Sequence, residues 1–149
     1  MKVSKKAYYG LRAALALAHI DRALSIHALA KSEHLPEEYL EKILQTLRRA
    51  GIVEATKGAA GGYTLTRSAR EISAWDILRV LDGPLKTYLP PVTGSLPCLH
   101  VSHCQTNEVL RKLENEIEKT LLNITLETLL PKTTMKALNI KVATKNIRG

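Results

Sequence analysis

Two cysteines and two histidines form the one reactive constellation that the sequence offers. They lie within seven residues in the run PCLHVSHCQ, as Cys98, His100, His103 and Cys104. Thiolates and imidazoles are ligands for iron, zinc or copper, and thiolates also hold iron–sulfur clusters. Prolines at 90, 91 and 97 interrupt regular structure ahead of this group, so we interpret residues 85–105 as a loop that carries a sensor.

Four kinds of chemistry are open to this loop. Both cysteines with His100 or His103 could hold a cluster, although His103 and Cys104 are adjacent and would strain to reach one atom. Three of the same residues could bind zinc instead. A disulfide between Cys98 and Cys104, within one loop or across a dimer, would make a thiol switch. The fourth interpretation is that the cysteines only pack, and that the loop senses a small molecule or nothing. We rank a cluster or metal first and the thiol switch second.

The composition favours a small basic domain. The chain has 149 residues, of which 45% are hydrophobic, and this is enough for one compact core. Its 22 Lys and Arg outnumber 14 Asp and Glu, and the net charge of +8 points to polyanions as partners. Two cysteines do not make a disulfide scaffold, no apolar run could span a bilayer, and no signal-cleavage pattern follows the N-terminus. We therefore expect a cytoplasmic protein.

The elements that position these residues begin with three helices. Apolar spacing predicts a helix over 5–20, and Ser25 caps a second, short helix. The break SEHLP follows, with Pro36 at the start of the next helix. That helix places four apolar residues at i, i+3, i+4 and i+7 and stops at Gly51; they are Leu40, Ile43, Leu44 and Leu47. Two helices joined by a short turn are typical of a helix-turn-helix.

A β-hairpin and a fourth helix follow. Residues 52–56 and 63–66 have strand composition, and the glycine-containing run KGAAGG separates them. A helix-turn-helix followed directly by a hairpin predicts a winged helix, a mainly α fold with a small β-hairpin wing. Ser73 and Asp76 form a capping box, which opens a helix that ends at Gly83.

A long amphipathic helix is predicted from 106 to 130. Its apolar seam recurs at steps of three and four and consists of Leu110, Leu113, Ile117, Leu121 and Ile124. We interpret this seam as a homodimerisation surface, and the alternative is that the helix packs back on its own head. The predicted organisation is a DNA-binding head at 1–84, the sensor loop at 85–105, the dimerisation helix at 106–130 and a basic tail at 131–149. The tail has no acidic residue and would add sequence-independent affinity for DNA.

Residues of three elements are candidates for DNA contact. In a helix-turn-helix the start of the second helix meets base edges in the major groove. Glutamates there could accept a hydrogen bond from cytosine, lysine could donate to guanine, and tyrosine could touch a phosphate or simply pack beside Leu40. A basic side chain at the hairpin tip suits the minor groove, and the start of the first helix suits phosphates. The candidates are Glu38, Tyr39, Glu41 and Lys42 in the helix, Lys57 and Gly58 in the hairpin, and Ser4, Lys5 and Lys6. For Glu37 we favour support of the helix dipole.

Three segments resemble a known family. YYGLRAALALA, LPEEYLEKILQTLRRAGIVEATKGAAGGYTLT and ISAWDILRVLDGP are similar to the head of the IscR and NsrR family of bacterial repressors, over most of residues 1–84. The resemblance implies a homodimeric winged-helix repressor that binds a palindromic operator. Many members sense iron–sulfur status, nitric oxide or oxidants through cysteines in the loop before the long helix.

This chain departs from the family pattern at the sensor. Cys98 and Cys104 resemble the second and third cysteines of cluster-binding members, but the first is missing near Val92. Asn107 stands where one branch has a histidine, and tyrosines 8 and 9 stand where another has an acidic residue. An ordinary three-cysteine cluster is therefore excluded.

The function that follows is a DNA-binding transcription regulator, most simply a repressor, that responds to redox, iron–sulfur or nitric oxide chemistry. The alternatives are a cluster-free regulator with a thiol switch or zinc site, and a basic module that binds RNA or protein. We predict no enzymatic activity, because the sequence has no phosphate-cradling loop and no nucleophile elbow.

Overall fold

The fold is mainly helical with one short antiparallel hairpin, which confirms the predicted winged-helix architecture. A computed structural model describes residues 2–20, 22–84 and 105–131. The elements in chain order are α1 (Lys5–Ile20), α2 (Ile26–Glu33), α3 (Glu37–Arg49), β1 (Val53–Thr56), β2 (Gly62–Leu65), α4 (Ala74–Asp82), α5 (Gln105–Asn123) and α6 (Leu126–Leu129). The predicted loop, apart from its last residue, and the tail beyond Pro131 lie outside the described residues. Among the described helices, none is long and apolar enough to cross a membrane.

The helix-turn-helix forms where local signals predict it. The Ser25 hydroxyl caps α2 by accepting a hydrogen bond from the Ala28 N–H at 3.1 Å. Pro36 occupies the N-cap position of α3 and offers no side-chain cap. All four apolar residues of the predicted α3 stripe are fully buried in the core, so the opposite face of α3 is turned outward.

The wing is a two-stranded antiparallel hairpin. Val53 pairs with Leu65 and Thr56 pairs with Gly62. The hairpin is tied to the rest of the head through Leu24 and Tyr63, whose backbones exchange hydrogen bonds of 3.0 and 2.8 Å. Val53 is buried while the tip residues 57–60 are exposed. The base of the wing is therefore fixed and its tip projects into solvent.

Helix α4 closes the head against α1. The capping box is present, because the Ser73 hydroxyl accepts from the Asp76 N–H and the Asp76 carboxylate accepts from the Ser73 N–H. Trp75 is buried. At Gly10 of α1, an added Cβ would meet Leu81 Cδ1 of α4, so a larger residue there would require the Leu81 side chain to move.

The prediction of one continuous helix over 106–130 is wrong at its C-terminal end. Helix α5 stops at Asn123, and the Thr125 hydroxyl caps the separate helix α6 by accepting from the Thr128 N–H at 3.4 Å. The backbone between the helices bonds to the head instead, since the Ala74 N–H donates to the Ile124 carbonyl at 2.7 Å and the Leu126 N–H donates to the Ile72 carbonyl at 2.9 Å. Those groups cannot also continue the helical ladder of α5.

Candidate nucleic-acid interface

Three of the predicted base-reading residues lie on the exposed face of α3. Glu38, Glu41 and Lys42 are all exposed, opposite the buried leucines and isoleucine of the same helix. Lys42 forms no ion pair with a carboxylate of the described residues. These side chains are therefore available to the edges of bases if α3 enters the major groove.

Tyr39 differs from its neighbours because it packs inward. It is half-buried against the core, and its ring meets that of Tyr9 edge-to-face with centroids 6.1 Å apart and an angle of 89° between the rings. This packing matches one of the two roles that the sequence left open. Contact between the Tyr39 hydroxyl and a phosphate stays a prediction.

Glu37 forms a bridge within the helix-turn-helix. Its Oε1 lies 2.5 Å from Nδ1 of His27 on α2, and both side chains are exposed. The carboxylate therefore supports the start of α3 and also joins α2 to α3. This placement agrees with a structural role for Glu37 rather than with base reading.

The wing presents a basic side chain at its tip. Lys57 is exposed and has no ion pair with the described carboxylates. Gly58 follows it with φ of 111°, a conformation that side chains rarely adopt, so this glycine shapes the tip. The tip is slender, as insertion into a minor groove requires.

The start of α1 is already occupied by a carboxylate. Asp82 accepts a hydrogen bond from the Ser4 N–H at 2.9 Å and a short one from the Ser4 hydroxyl, whose oxygen in turn accepts from the Ala7 N–H at 3.1 Å. Lys5 is exposed and Lys6 is half-buried. A phosphate that approached Ser4 would compete with Asp82, so the lysines are better placed than Ser4 for backbone contact.

The sequence reasoning missed the side-chain contacts of two residues in the head. Gln45 is exposed on α3, one turn after Glu41, and its Nε2 donates to Glu41 Oε1 at 3.3 Å. The i, i+4 spacing of the two residues was a signal for this contact. Arg12 of α1 donates to the Glu33 carboxylate at 2.8 Å.

Arg12 also stacks against aromatic rings. Its guanidinium carbon lies 5.8 Å from the ring centroids of both Tyr8 and Tyr9. Desolvation lowers the pKa of Arg12, but Glu33 and Tyr8 together outweigh this effect and raise the pKa above its ordinary value. Arg12 therefore stays charged and links α1 to the end of α2.

The predicted metal ligands lie outside the described residues. Cys98, His100, His103 and Cys104 all fall between 85 and 104, as does Val92. Within 2–20, 22–84 and 105–131, no group of three or more histidine, cysteine or acidic side chains is placed to hold a metal ion. The ligand set stays a prediction from the sequence.

The predicted dimerisation seam on α5 is only partly covered by its own chain. Leu113 is 49% exposed, while Leu110, Ile117 and Leu121 are half-buried. None of the four belongs to the hydrophobic cluster that forms the core of the head. The head therefore leaves part of the apolar face of α5, a helix about 28 Å long, exposed to solvent.

The geometry defines a class of protein: a winged helix-turn-helix with an exposed recognition helix and a basic wing tip. Residues 3–132 match the model of the Rrf2 family, described as iron-dependent transcriptional regulators. The chain belongs to the Rrf2 family of helix-turn-helix transcriptional regulators. This membership confirms the predicted resemblance and agrees with the prediction that the chain is not an enzyme.

Similar proteins support the same assignment. CymR of Bacillus subtilis is 42% identical over 87 residues, which span 57% of this chain and 63% of that relative. A regulator of Synechocystis is 39% identical over 128 residues, which span 85% of each chain. The solved structure of B. subtilis CymR, the global cysteine regulator of that organism, has a TM-score of 0.71 at 32% identity and covers 87% of this chain and 95% of that one. The structure of T. potens IscR has a TM-score of 0.65 at 37% identity, and the match covers 85% of this chain and 83% of that one.

Proposed function

We propose that this transcription regulator is a cytoplasmic homodimeric repressor that binds a palindromic operator and releases or engages it in response to a redox, iron–sulfur or nitric oxide signal. The observation that carries the proposal is α3. Its apolar face is fully buried and its opposite face holds Glu38, Glu41 and Lys42 in solvent beside the projecting wing. This is the arrangement by which a winged helix reads duplex DNA.

The apolar face of α5 supports the homodimer. A two-fold dimer would place two recognition helices on one side of the molecule, and two identical heads read a site with two-fold symmetry. The exposure of Leu113 is consistent with a second copy of α5 as the missing cover.

The wing tip provides a direct test of DNA binding. We expect Lys57→Ala to weaken operator binding by about 5-fold to 10-fold, because a lysine in the groove contributes a phosphate or groove contact and releases a counterion. The slope of log affinity against log salt should fall by about one. Fluorescence anisotropy with a duplex selected by the wild-type protein would measure both quantities.

Lys119→Ala is the matched control, since Lys119 is also exposed but lies on α5, outside the helix-turn-helix and the wing. Affinity and salt slope that are the same for Lys57→Ala and wild type would remove Lys57 from the interface.

The signal is proposed to act through the Cys/His group. Cys98 and Cys104 supply two thiolates, and His100 or His103 supplies imidazole nitrogen, which together suit an iron–sulfur cluster or zinc. A cluster would supply a redox-active group whose oxidation or nitrosylation alters the loop. The description of the family as iron-dependent regulators favours this form of the proposal.

A thiol switch is the second candidate, and one observation favours it. Staphylococcus aureus CymR, 32% identical in a structure with a TM-score of 0.66, has been solved in an oxidized form. In this chain, oxidation would join Cys98 and Cys104 in a disulfide.

Analysis of anaerobically purified protein distinguishes the iron–sulfur cluster, the zinc site and the thiol switch. The visible absorption spectrum, together with iron, zinc and acid-labile sulfide content, should show a brown protein with iron and sulfide that Cys98→Ala and Cys104→Ala both bleach. Colourless protein with zinc would assign the loop to a zinc site. Colourless, metal-free protein would contradict the cluster and leave Cys98–Cys104 oxidation, measured by thiol titration, as the signal.

A further inference from the structure

Gln45 is an exposed polar residue that the predicted DNA-contact set leaves out. It lies on the outward face of α3, in line with Glu38, Glu41 and Lys42. Since α3 rises 1.5 Å per residue, the face from Glu38 to Gln45 is about 10 Å long and matches about three base pairs. Gln45 therefore lies within the length of helix that can meet base edges.

The side-chain amide of Gln45 contacts a carboxylate on the same face. Gln45 Nε2 donates to Glu41 Oε1 at 3.3 Å, one helical turn away on the same face. An isolated exposed glutamate samples many rotamers, and a hydrogen bond from a neighbour reduces that freedom before a ligand arrives. The contact leaves Oε2 of Glu41 without a partner among the described residues.

The other acidic residues of α3 are arranged differently. Glu37 is bridged to His27, at the side of the helix that faces α2. Glu38 is exposed, and its side chain forms no hydrogen bond or ion pair with the described residues. Glu41 is thus the carboxylate of α3 that is both held by a neighbour and left with a free oxygen on the outward face.

We propose that Gln45 is a positioning residue that fixes Glu41 to accept a hydrogen bond from the exocyclic amino group of a cytosine in the major groove. The inference rests on the proposed function, because it needs α3 to read an operator. Cytosine is the base whose major-groove edge offers an amino donor without an adjacent acceptor nitrogen, which is the chemistry that a carboxylate recognises. Gln45 thereby sets how strongly one position of each half-site is specified.

The test compares base preferences rather than affinity alone. Wild-type protein selects binding sites from a library of random duplexes, and the same library is then offered to Glu41→Gln and Gln45→Met. Methionine keeps the length and the helix propensity of glutamine but cannot donate to Glu41. Asn115→Met, at an exposed amide of α5 outside both the helix-turn-helix and the sensor loop, is the matched control for the introduction of methionine.

We expect wild type to prefer cytosine at one position of each half-site by about 10-fold or more. Glu41→Gln should abolish that preference, and Gln45→Met should reduce it by about 5-fold at the same position, since the loss of one modest hydrogen bond is at stake. Both side chains are exposed, so the thermal unfolding midpoint should stay within 1–2 °C of wild type, as estimated for surface substitutions.

The other possible results would reject the role of Gln45, the role of Glu41 or operator binding itself. A cytosine preference that survives Gln45→Met, or a loss of affinity that is equal for all duplexes, would reject the positioning role. A wild-type motif that Glu41→Gln leaves unchanged would reject Glu41 as the reader and Gln45 with it, while the regulator itself stands. Wild-type protein that enriches no motif would reject the proposed operator-binding function, and the inference would fall with it.

Discussion

At the turn between α2 and α3, His34 adopts φ of 56° and ψ of 45°, the left-handed conformation that glycine usually supplies at a helix end. Its backbone N–H bonds to the carbonyls of Ala30 and Lys31, and its Nδ1 lies 3.0 Å from the Lys31 carbonyl. A residue with a Cβ costs about 1 kcal/mol in this conformation. We therefore expect His34→Gly to raise the free energy of unfolding by about 0.5–1 kcal/mol in urea titrations.

Ala28→Gly is the control for that experiment, because Ala28 is an exposed residue of α2 in ordinary helical conformation. It should lower the free energy of unfolding by about 1 kcal/mol. If both glycine substitutions lowered it to the same extent, the backbone strain assigned to His34 would be refuted.

Residue-scale features were predictable where they depend on neighbours in sequence. The Ser25 cap and the capping box of Ser73 and Asp76 follow from residues within three positions of each other, and both are present. The bond from Ser4 to Asp82 joins residues 78 positions apart and depends on how α1 packs against α4. No local pattern announces such a contact, so Ser4 was predicted to be available to a phosphate.

At the scale of elements, α6 holds the end of α5 to the head. Leu126 is 0% exposed and belongs to the core cluster, and its backbone bonds to Ile72. We expect Leu126→Ala to lower the free energy of unfolding by about 2–4 kcal/mol, since a fully buried leucine leaves a cavity when it is truncated. Thermal and urea unfolding followed by circular dichroism would measure the change.

Leu129 supplies the matched control, as the same residue type in the same short helix with 44% of its surface exposed. Its replacement by alanine should cost less than about 1 kcal/mol. Equal losses for the two variants would contradict the docking of α6 through Leu126.

The elements of the head were predictable because their periodicity and caps agree. Helix α1 has the predicted bounds, and the hairpin strands differ from prediction by one residue at their ends. The end of α5 was not predictable from apolar spacing, because the seam extends to Ile124, past the last residue of α5 at Asn123. The leucines that follow, Leu126 and Leu130, are buried in the core of the head. Tertiary hydrogen bonds to residues 69–74 decide the break there.

At the scale of the whole molecule, charge and apolar surface have separate roles. In the proposed dimer, the net charge of +8 would attract a polyanion, while the partly exposed apolar face of α5 would associate with a second copy. Both properties are visible in the sequence, but only the fold shows that the head does not cover Leu113. The dimer proposal therefore rests on exposure as well as on periodicity.

A charge placed on that face tests the dimer. Leu113→Glu would bury two carboxylates in a two-fold interface, so we expect the dissociation constant of the dimer to rise by at least about 100-fold, as for an unpaired charge at an interface. Sedimentation velocity at micromolar concentration should show monomers. Leu122→Glu is the matched control, because Leu122 is 45% exposed on the same helix but off the seam. We expect it to remain dimeric.

DNA binding then distinguishes assembly from folding. Leu113→Glu should keep the circular dichroism spectrum of wild type. In a DNA footprint at high protein concentration it should protect only one half-site, because each head keeps its own α3 and wing. Leu122→Glu should protect both half-sites, as wild type does. A dimeric Leu113→Glu, or a monomeric wild-type protein that protects a symmetric site, would place the dimer interface away from α5 or remove it from the proposal.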